Sequence, residues 1–193
     1  MNQSNVDTTH SVSEKVRSNV FDVLRAERAS LELGAAGGLY EWLIGSWNVR
    51  VVDYEDNGSP RNSSGEWHFG WVLEGRAIQD VFIVPSRDAR SGNLPAEGNR
   101  YGTSLRVYDP RIDAWHITWI NPVRQVHNHL IGRKVGNEII QEGTDEDGSL
   151  MRWLFRDVTS NSFRWTGEQS TDNGKTWHLG AEFFAVRSVE GTE

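Results

Sequence analysis

Residues 162–187 read Ser162-Phe163-Arg164-Trp165-Thr166-Gly167-Glu168-Gln169-Ser170-Thr171-Asp172-Asn173-Gly174-Lys175-Thr176-Trp177-His178-Leu179-Gly180-Ala181-Glu182-Phe183-Phe184-Ala185-Val186-Arg187. Two runs of alternating apolar and polar residues flank one turn. Period-two alternation marks strands with one face buried. Asp172-Asn173-Gly174-Lys175 has the chemistry of a type I turn followed by a glycine bulge, so the runs pair as a hairpin. That turn sets Gln169 opposite Trp177, Gly167 opposite Leu179, Trp165 opposite Ala181 and Phe163 opposite Phe183. The apolar positions then share one face. Arg164, Thr166, Glu168, His178 and Glu182 share the other, and a slip of one residue would mix the two sets.

The same logic extends upstream. A bulged turn over 158–160 sets Phe155 opposite Phe163 and Trp153 opposite Trp165, adding Met151, Trp153, Phe155 and Asp157 to the inward face. The hairpin around Asn121-Pro122-Val123-Arg124 pairs Trp119 with Val126, Ile117 with Asn128 and Trp115 with Leu130. Its opposite face pairs His116 with His129 and Thr118 with His127. The tryptophan face reads as inside and the histidine face as outside.

From Gly45 onward the chain carries about ten such segments: 46–54, 64–73, 76–84, 101–108, 114–120, 125–132, 137–142, 150–157, 162–170 and 177–187. Turn residues separate them, among them Asp56-Asn57-Gly58, Gly136-Asn137 and Asp147-Gly148. Many short strands with tight turns and no blunted edge predict an all-β fold, a single closed antiparallel β-barrel. Residues 85–100 form the one long loop, either a lid over an opening or a solvated excursion. Ahead of the strands, residues 11–33 read as a helix. Ser11 or Ser13 is its cap, and its apolar stripe is Val16, Val20, Val23, Leu24 and Leu31. The domain reading is a disordered tail (1–10), an N-terminal helix and linker (11–38), the barrel (39–188) and a short tail (189–193).

The 193 residues suffice for one domain with a sizeable core. A net charge of -7 repels phosphate backbones and anionic membrane surfaces, so neither nucleic acid nor membrane is an expected partner. The absence of cysteine rules out disulfides, thiolate metal sites and a cysteine nucleophile. It fits a cytoplasmic location, as does the polar start of the chain. Nine tryptophans are the unusual feature. Large rings either fill a barrel core or wall a ligand cavity.

Ile44-Gly45-Ser46-Trp47, at the head of the first strand, resembles the Gly-x-Trp signature of the calycins, the lipocalin and fatty-acid-binding-protein group. The resemblance implies that Trp47 closes one end of the barrel under Arg187 from the last strand. Tyr108-Asp109-Pro110, Trp115 with Trp119, Arg152-Trp153 and the stretch from Trp165 to Trp177 are similar to a bacterial lipocalin-like branch, a domain of unknown function. The likeness runs over about residues 40–188. It implies an apolar cavity and carries no reaction. The N-terminal helix departs from the pattern.

Trp67, Trp115, Trp119, Asn128, Trp153, Trp165 and Gln169 are the expected ligand-binding residues, the two amides needing partners that a ligand, water or core network supplies. Asp80, in the apolar run Ile78-Gln79-Asp80-Val81-Phe82, is either an acid/base facing the cavity or a carboxylate paired with Arg76 or Arg106. Asp53 and Asp157 carry the same ambiguity. Arg106 and Tyr108 share one strand face and suit an oxygen-bearing ligand if that face points inward. His116 is a further acid/base candidate. His116, His127 and His129 form a weak metal alternative, or ordinary polar surface. No phosphate loop, Gly-x-Ser-x-Gly elbow or His-Glu-x-x-His occurs. The expected function is binding of a small hydrophobic or aromatic molecule, with no cofactor. The alternatives are a cofactor-independent isomerase, cyclase, lyase or hydratase, or an interaction protein with a filled barrel. A homodimer stays open.

Overall fold

The computed structural model describes residues 19–92 and 99–188. The tails at 1–10 and 189–193, the start of the expected helix with its cap, and residues 93–98 of the long loop lie outside the described residues.

Ten strands close into one antiparallel barrel: β2 (Gly45–Tyr54), β3 (Pro60–Val72), β4 (Ala77–Val84), β5 (Arg100–Asp109), β6 (Ala114–Asn121), β7 (Val126–Val135), β8 (Glu138–Thr144), β9 (Leu150–Arg156), β10 (Ser162–Ser170) and β11 (His178–Arg187). Each pairs with the next, and β11 pairs with β2 to complete the ring. Closure removes the free edges that an open sheet of this length would expose. A two-residue strand, β1 (Arg25–Ala26), pairs with Val72 and Trp71 of β3. It lies there because β3 outruns its neighbour. β2 begins at Gly45, opposite Phe69, which leaves the last residues of β3 uncovered on that side.

The long N-terminal helix is corrected. Among the described residues the α-helix covers only α1 (Val20–Leu24), capped by a reciprocal Asn19–Asp22 box. Val20, Val23 and Leu31 of the expected stripe are exposed. The sheet edge at Trp71 and Val72 offers residues 25–26 backbone partners, and that pairing ends the helix. Residues 31–43 follow as two 3₁₀ segments with a kink at Gly34. They bring Tyr40, Leu43 and half-buried Trp42 into the end of the barrel.

Three hairpins share one deviation from the sequence reading. Trp165 pairs with Phe183 and Phe155, and Trp119 pairs with Asn128, each two residues from the expected partner. The loops are longer than the shortest turns the residues allow. A shift of two keeps every side chain on its face, so the inward sets survive. The calls ahead of Gly180, at Trp177, His178 and Leu179, and the call at Asp157 do change. β11 skips Gly180: Gly167 pairs with Ala181 but Glu168 pairs with Leu179. This bulge flips the facing, and Trp177 stacks outside on the Arg152 guanidinium, 4.0 Å from the ring centroid. Asp157 sits exposed in a turn with φ of 51°, not inside.

Candidate functional site

One end of the barrel is shut. Trp47 is fully buried and its indole N–H donates to the Leu43 carbonyl at 2.7 Å. The Arg187 guanidinium lies 4.1 Å from the Trp47 ring centroid and donates to the carbonyls of Trp42 and Ile44, each at 2.8 Å. Arg187 thus ties the 3₁₀ segment to the first and last strands at once, and it satisfies carbonyls that would otherwise be orphaned. Tyr40 enters beside it, edge-on to Trp115 and Phe155. Its hydroxyl occupies the space that a side chain at Gly132 would need, so glycine there admits the plug. Burial pushes the Tyr40 phenol pKa up.

Past this plug, a cavity of about 110 Å³ remains, lined by Trp67, Phe82, Arg100, Ser104, Arg106, Trp119, Trp153, Trp165, Ala181 and Phe183. The walls are rings. Trp165 stacks on Phe183 with centroids 4.2 Å apart, and Trp153 meets both Trp165 and Trp119. Small residues on β5 make the room. A Cβ at Gly102 would lie 2.5 Å from the Trp119 ring, so only glycine lets that indole lie against the strand. Trp119, Trp153, Arg100 and Ala181 are half-buried, and the cavity reaches solvent on their side.

Polar groups in this wall are few, and its two charged side chains are paired with carboxylates. Asp80 and Arg106 are almost fully buried. Arg106 donates through Nη1 to Asp80, whose second oxygen accepts the Ser104 backbone N–H at 3.0 Å. The same guanidinium lies within 5.6 Å of the Tyr40 and Phe69 ring centroids. Arg100 forks onto Asp53, with Nη1 at 3.1 Å, and Asp53 also receives Arg61. Two donors lack an acceptor, Arg106 Nε and Trp67 Nε1, and both belong to cavity-lining residues. An unmet buried donor costs about 1–3 kcal/mol.

The expected site residues divide accordingly. Trp67, Trp119, Trp153, Trp165 and Arg106 come together at the cavity. Asp80 stands behind Arg106 and Ser104, in the paired alternative. Trp115 packs against the plug. Tyr108 shares the Arg106 face but sits at the shut end, half-buried, its hydroxyl donating to Asp113 at 2.7 Å. His116 is on the outer face, against Asp109 and stacked on His129. The proposed acid/base set of Asp80, Arg106, Tyr108 and His116 is therefore not assembled in one place. His127 is exposed. Among the described residues no group of three or more metal-ligating side chains is placed to hold an ion. Asn128 is buried and donates to Asp145, and exposed Gln169 donates to Asp145 and Ser149, a network away from the lining. Sequence reasoning missed Arg100, Ser104 and Phe82. The signal was present: Arg100, Gly102, Ser104 and Arg106 alternate on one face of β5, and Phe82 lies two residues from Asp80.

The long loop ends at Arg100, a residue of the cavity wall. Arg90 holds its two described ends together, donating to Asn99 at 2.8 Å and to the carbonyl of Pro85 at 3.3 Å. Among the described residues no helix is long and apolar enough to cross a membrane.

No family model matches the chain. No curated protein matches it either. Among solved structures, the chain is similar to Rv2717c from M. tuberculosis, with a TM-score of 0.54, 13% identity, and coverage of 81% of this chain and 99% of that one. It is also similar to the S-type phycobiliprotein lyase CpeS from Guillardia theta, with a TM-score of 0.52, 10% identity, and coverage of 80% and 93%. At these identities the likeness is one of fold: a closed antiparallel β-barrel.

Proposed function

We propose that this chain is a calycin-like barrel that binds a small aromatic molecule in the cavity walled by Trp67, Trp119, Trp153 and Trp165. The observation that carries the reading is an unfilled space of about 110 Å³ walled by rings of the barrel core. Interiors normally close such gaps, because each missing contact forfeits dispersion energy. Keeping one open beside half-buried indoles is what a ligand site requires. The space is smaller than the apolar cavity of about 150 Å³ that accepts benzene, so a single ring is the largest ligand it suits, with any substituent toward the open side at Trp119 and Trp153. The solved structure of similar fold named a phycobiliprotein lyase shares the fold alone, and its chemistry is not carried over.

Calorimetric titration with one-ring aromatics (toluene, phenol, acetophenone) tests the proposal. At least one should bind to the native chain and none to Ser104→Phe, which fills the cavity while keeping the backbone N–H that Asp80 accepts. If none binds to the native chain, or binding persists in Ser104→Phe, the reading fails.

A further inference from the structure

Resting on that reading, we infer that the ligand is an aromatic monoanion, one ring carrying one carboxylate, with the ring among the indoles and the carboxylate at the open side against Arg100.

The charged groups of the wall are all cations. Arg100 and Arg106 line the cavity, and among the described residues no carboxylate does. Asp53 and Asp80, which pair with them, are not part of the lining. A ligand therefore meets the positive member of each pair at shorter range than the negative one, and the nearer charge dominates.

The two pairs also differ in balance. Arg106 and Asp80 are one cation and one anion, both buried, and cancel. Asp53 serves two guanidiniums: Arg100 forks onto it, and Arg61 reaches it at 3.4 Å. One carboxylate between two cations leaves one positive charge uncompensated. The Arg61 side chain is 44% exposed and water screens it, whereas that of Arg100 is 13% exposed. The excess is therefore felt most at the cavity wall. A neutral ring leaves it standing, a cation adds to it, and a single carboxylate cancels it.

Arg100 also has donors to spare. A guanidinium carries five N–H groups, and the fork onto Asp53 uses one on each terminal nitrogen. Its central carbon lies 5.7 Å from the ring centroid of Phe183, itself a wall residue. Arg100 stands where the cavity meets solvent, so a carboxylate there keeps part of its hydration and avoids the full cost of burying a charge.

Benzoate, benzamide and benzamidinium share a ring and a planar head and differ in charge. Titrated calorimetrically at neutral pH, benzoate should bind about tenfold more tightly than benzamide, and benzamidinium most weakly. Arg100→Gln should remove most of the preference for benzoate. Arg61→Gln changes a residue outside the wall, and should still reduce the preference because Asp53 then cancels Arg100. Asp53→Asn frees Arg100 and should raise the preference, a gain that damage to the fold does not produce. Benzamide binding as tightly as benzoate, or a preference unchanged in Arg100→Gln, overturns the inference. A preference unchanged in Arg61→Gln and not raised in Asp53→Asn overturns it as well. If none of the three binds while toluene does, the inference fails and the aromatic-cavity reading stands; if toluene also fails to bind, both fall.

Discussion

Arg106→Met should be among the most destabilising single substitutions in this barrel. The Arg106 and Asp80 side chains are 1% and 0% exposed. Removing the guanidinium leaves the Asp80 carboxylate in a ring-lined interior with the Ser104 N–H as its remaining donor. Breaking a buried pair in this way costs about 3–5 kcal/mol, against a total stability of about 5–15 kcal/mol for a typical domain. With an m-value of about 2 kcal/mol/M in urea, the midpoint should fall by roughly 2 M with little change in slope. Asp80→Asn/Arg106→Met removes both charges and should recover most of the loss, because a pair replaced by neutral groups of similar volume is close to neutral in stability. Urea unfolding followed by tryptophan fluorescence reports all three proteins. A midpoint drop below about 0.5 M for Arg106→Met, or a double variant no better than the single, would refute the buried-pair argument.

Gly102→Val should cost about 1–3 kcal/mol in thermal unfolding and abolish aromatic binding, since its side chain would collide with the Trp119 ring and push it into the cavity. Arg187→Met should speed hydrogen exchange at residues 40–44 while leaving the residues around Trp119 and Trp153 protected as before, because Arg187 pins the plug and nothing at the opening. The Arg87 side chain and backbone N–H hold the Glu66 carboxyl down to a pKa of about 2, with His68 adding to the effect. Its folded-state pKa is depressed, so this contribution is complete above the ordinary carboxylate range and is lost as pH falls toward about 2. Urea midpoints measured between pH 5 and pH 2 should therefore fall less in Glu66→Gln than in the native chain; parallel curves would discount that ion pair.

The barrel was legible because alternation is local. Phe163 to Ala185 and Trp115 to Leu130 declare their faces residue by residue, and even a register wrong by two leaves each face intact. Trp177 was misread because a bulge at Gly180 reverses the alternation, and nothing in Leu179-Gly180-Ala181 alone says that the strand skips there. The N-terminal helix was misread because its stripe of valines and leucines fits a helix equally well with or without a core beneath it. What ended it is the uncovered edge of β3 at Trp71 and Val72, a feature of the closed barrel. In the cavity, the indoles were found by their parity. Arg100 and its partner Asp53 lie 47 residues apart, and only closure of the barrel brings such a pair together. Tyr108 and His116 failed to join Asp80 for the same reason: a shared strand or a suitable side-chain type does not fix height along the barrel.

The most direct test of a ring-binding cavity is the set of nine indole N–H signals in a ¹H–¹⁵N spectrum, recorded while toluene is added. The account predicts shifts for Trp67, Trp119, Trp153 and Trp165, with Trp42, Trp47, Trp71, Trp115 and Trp177 unmoved. No shifts at saturating toluene, or shifts centred on Trp42 and Trp47 at the plugged end, would contradict it.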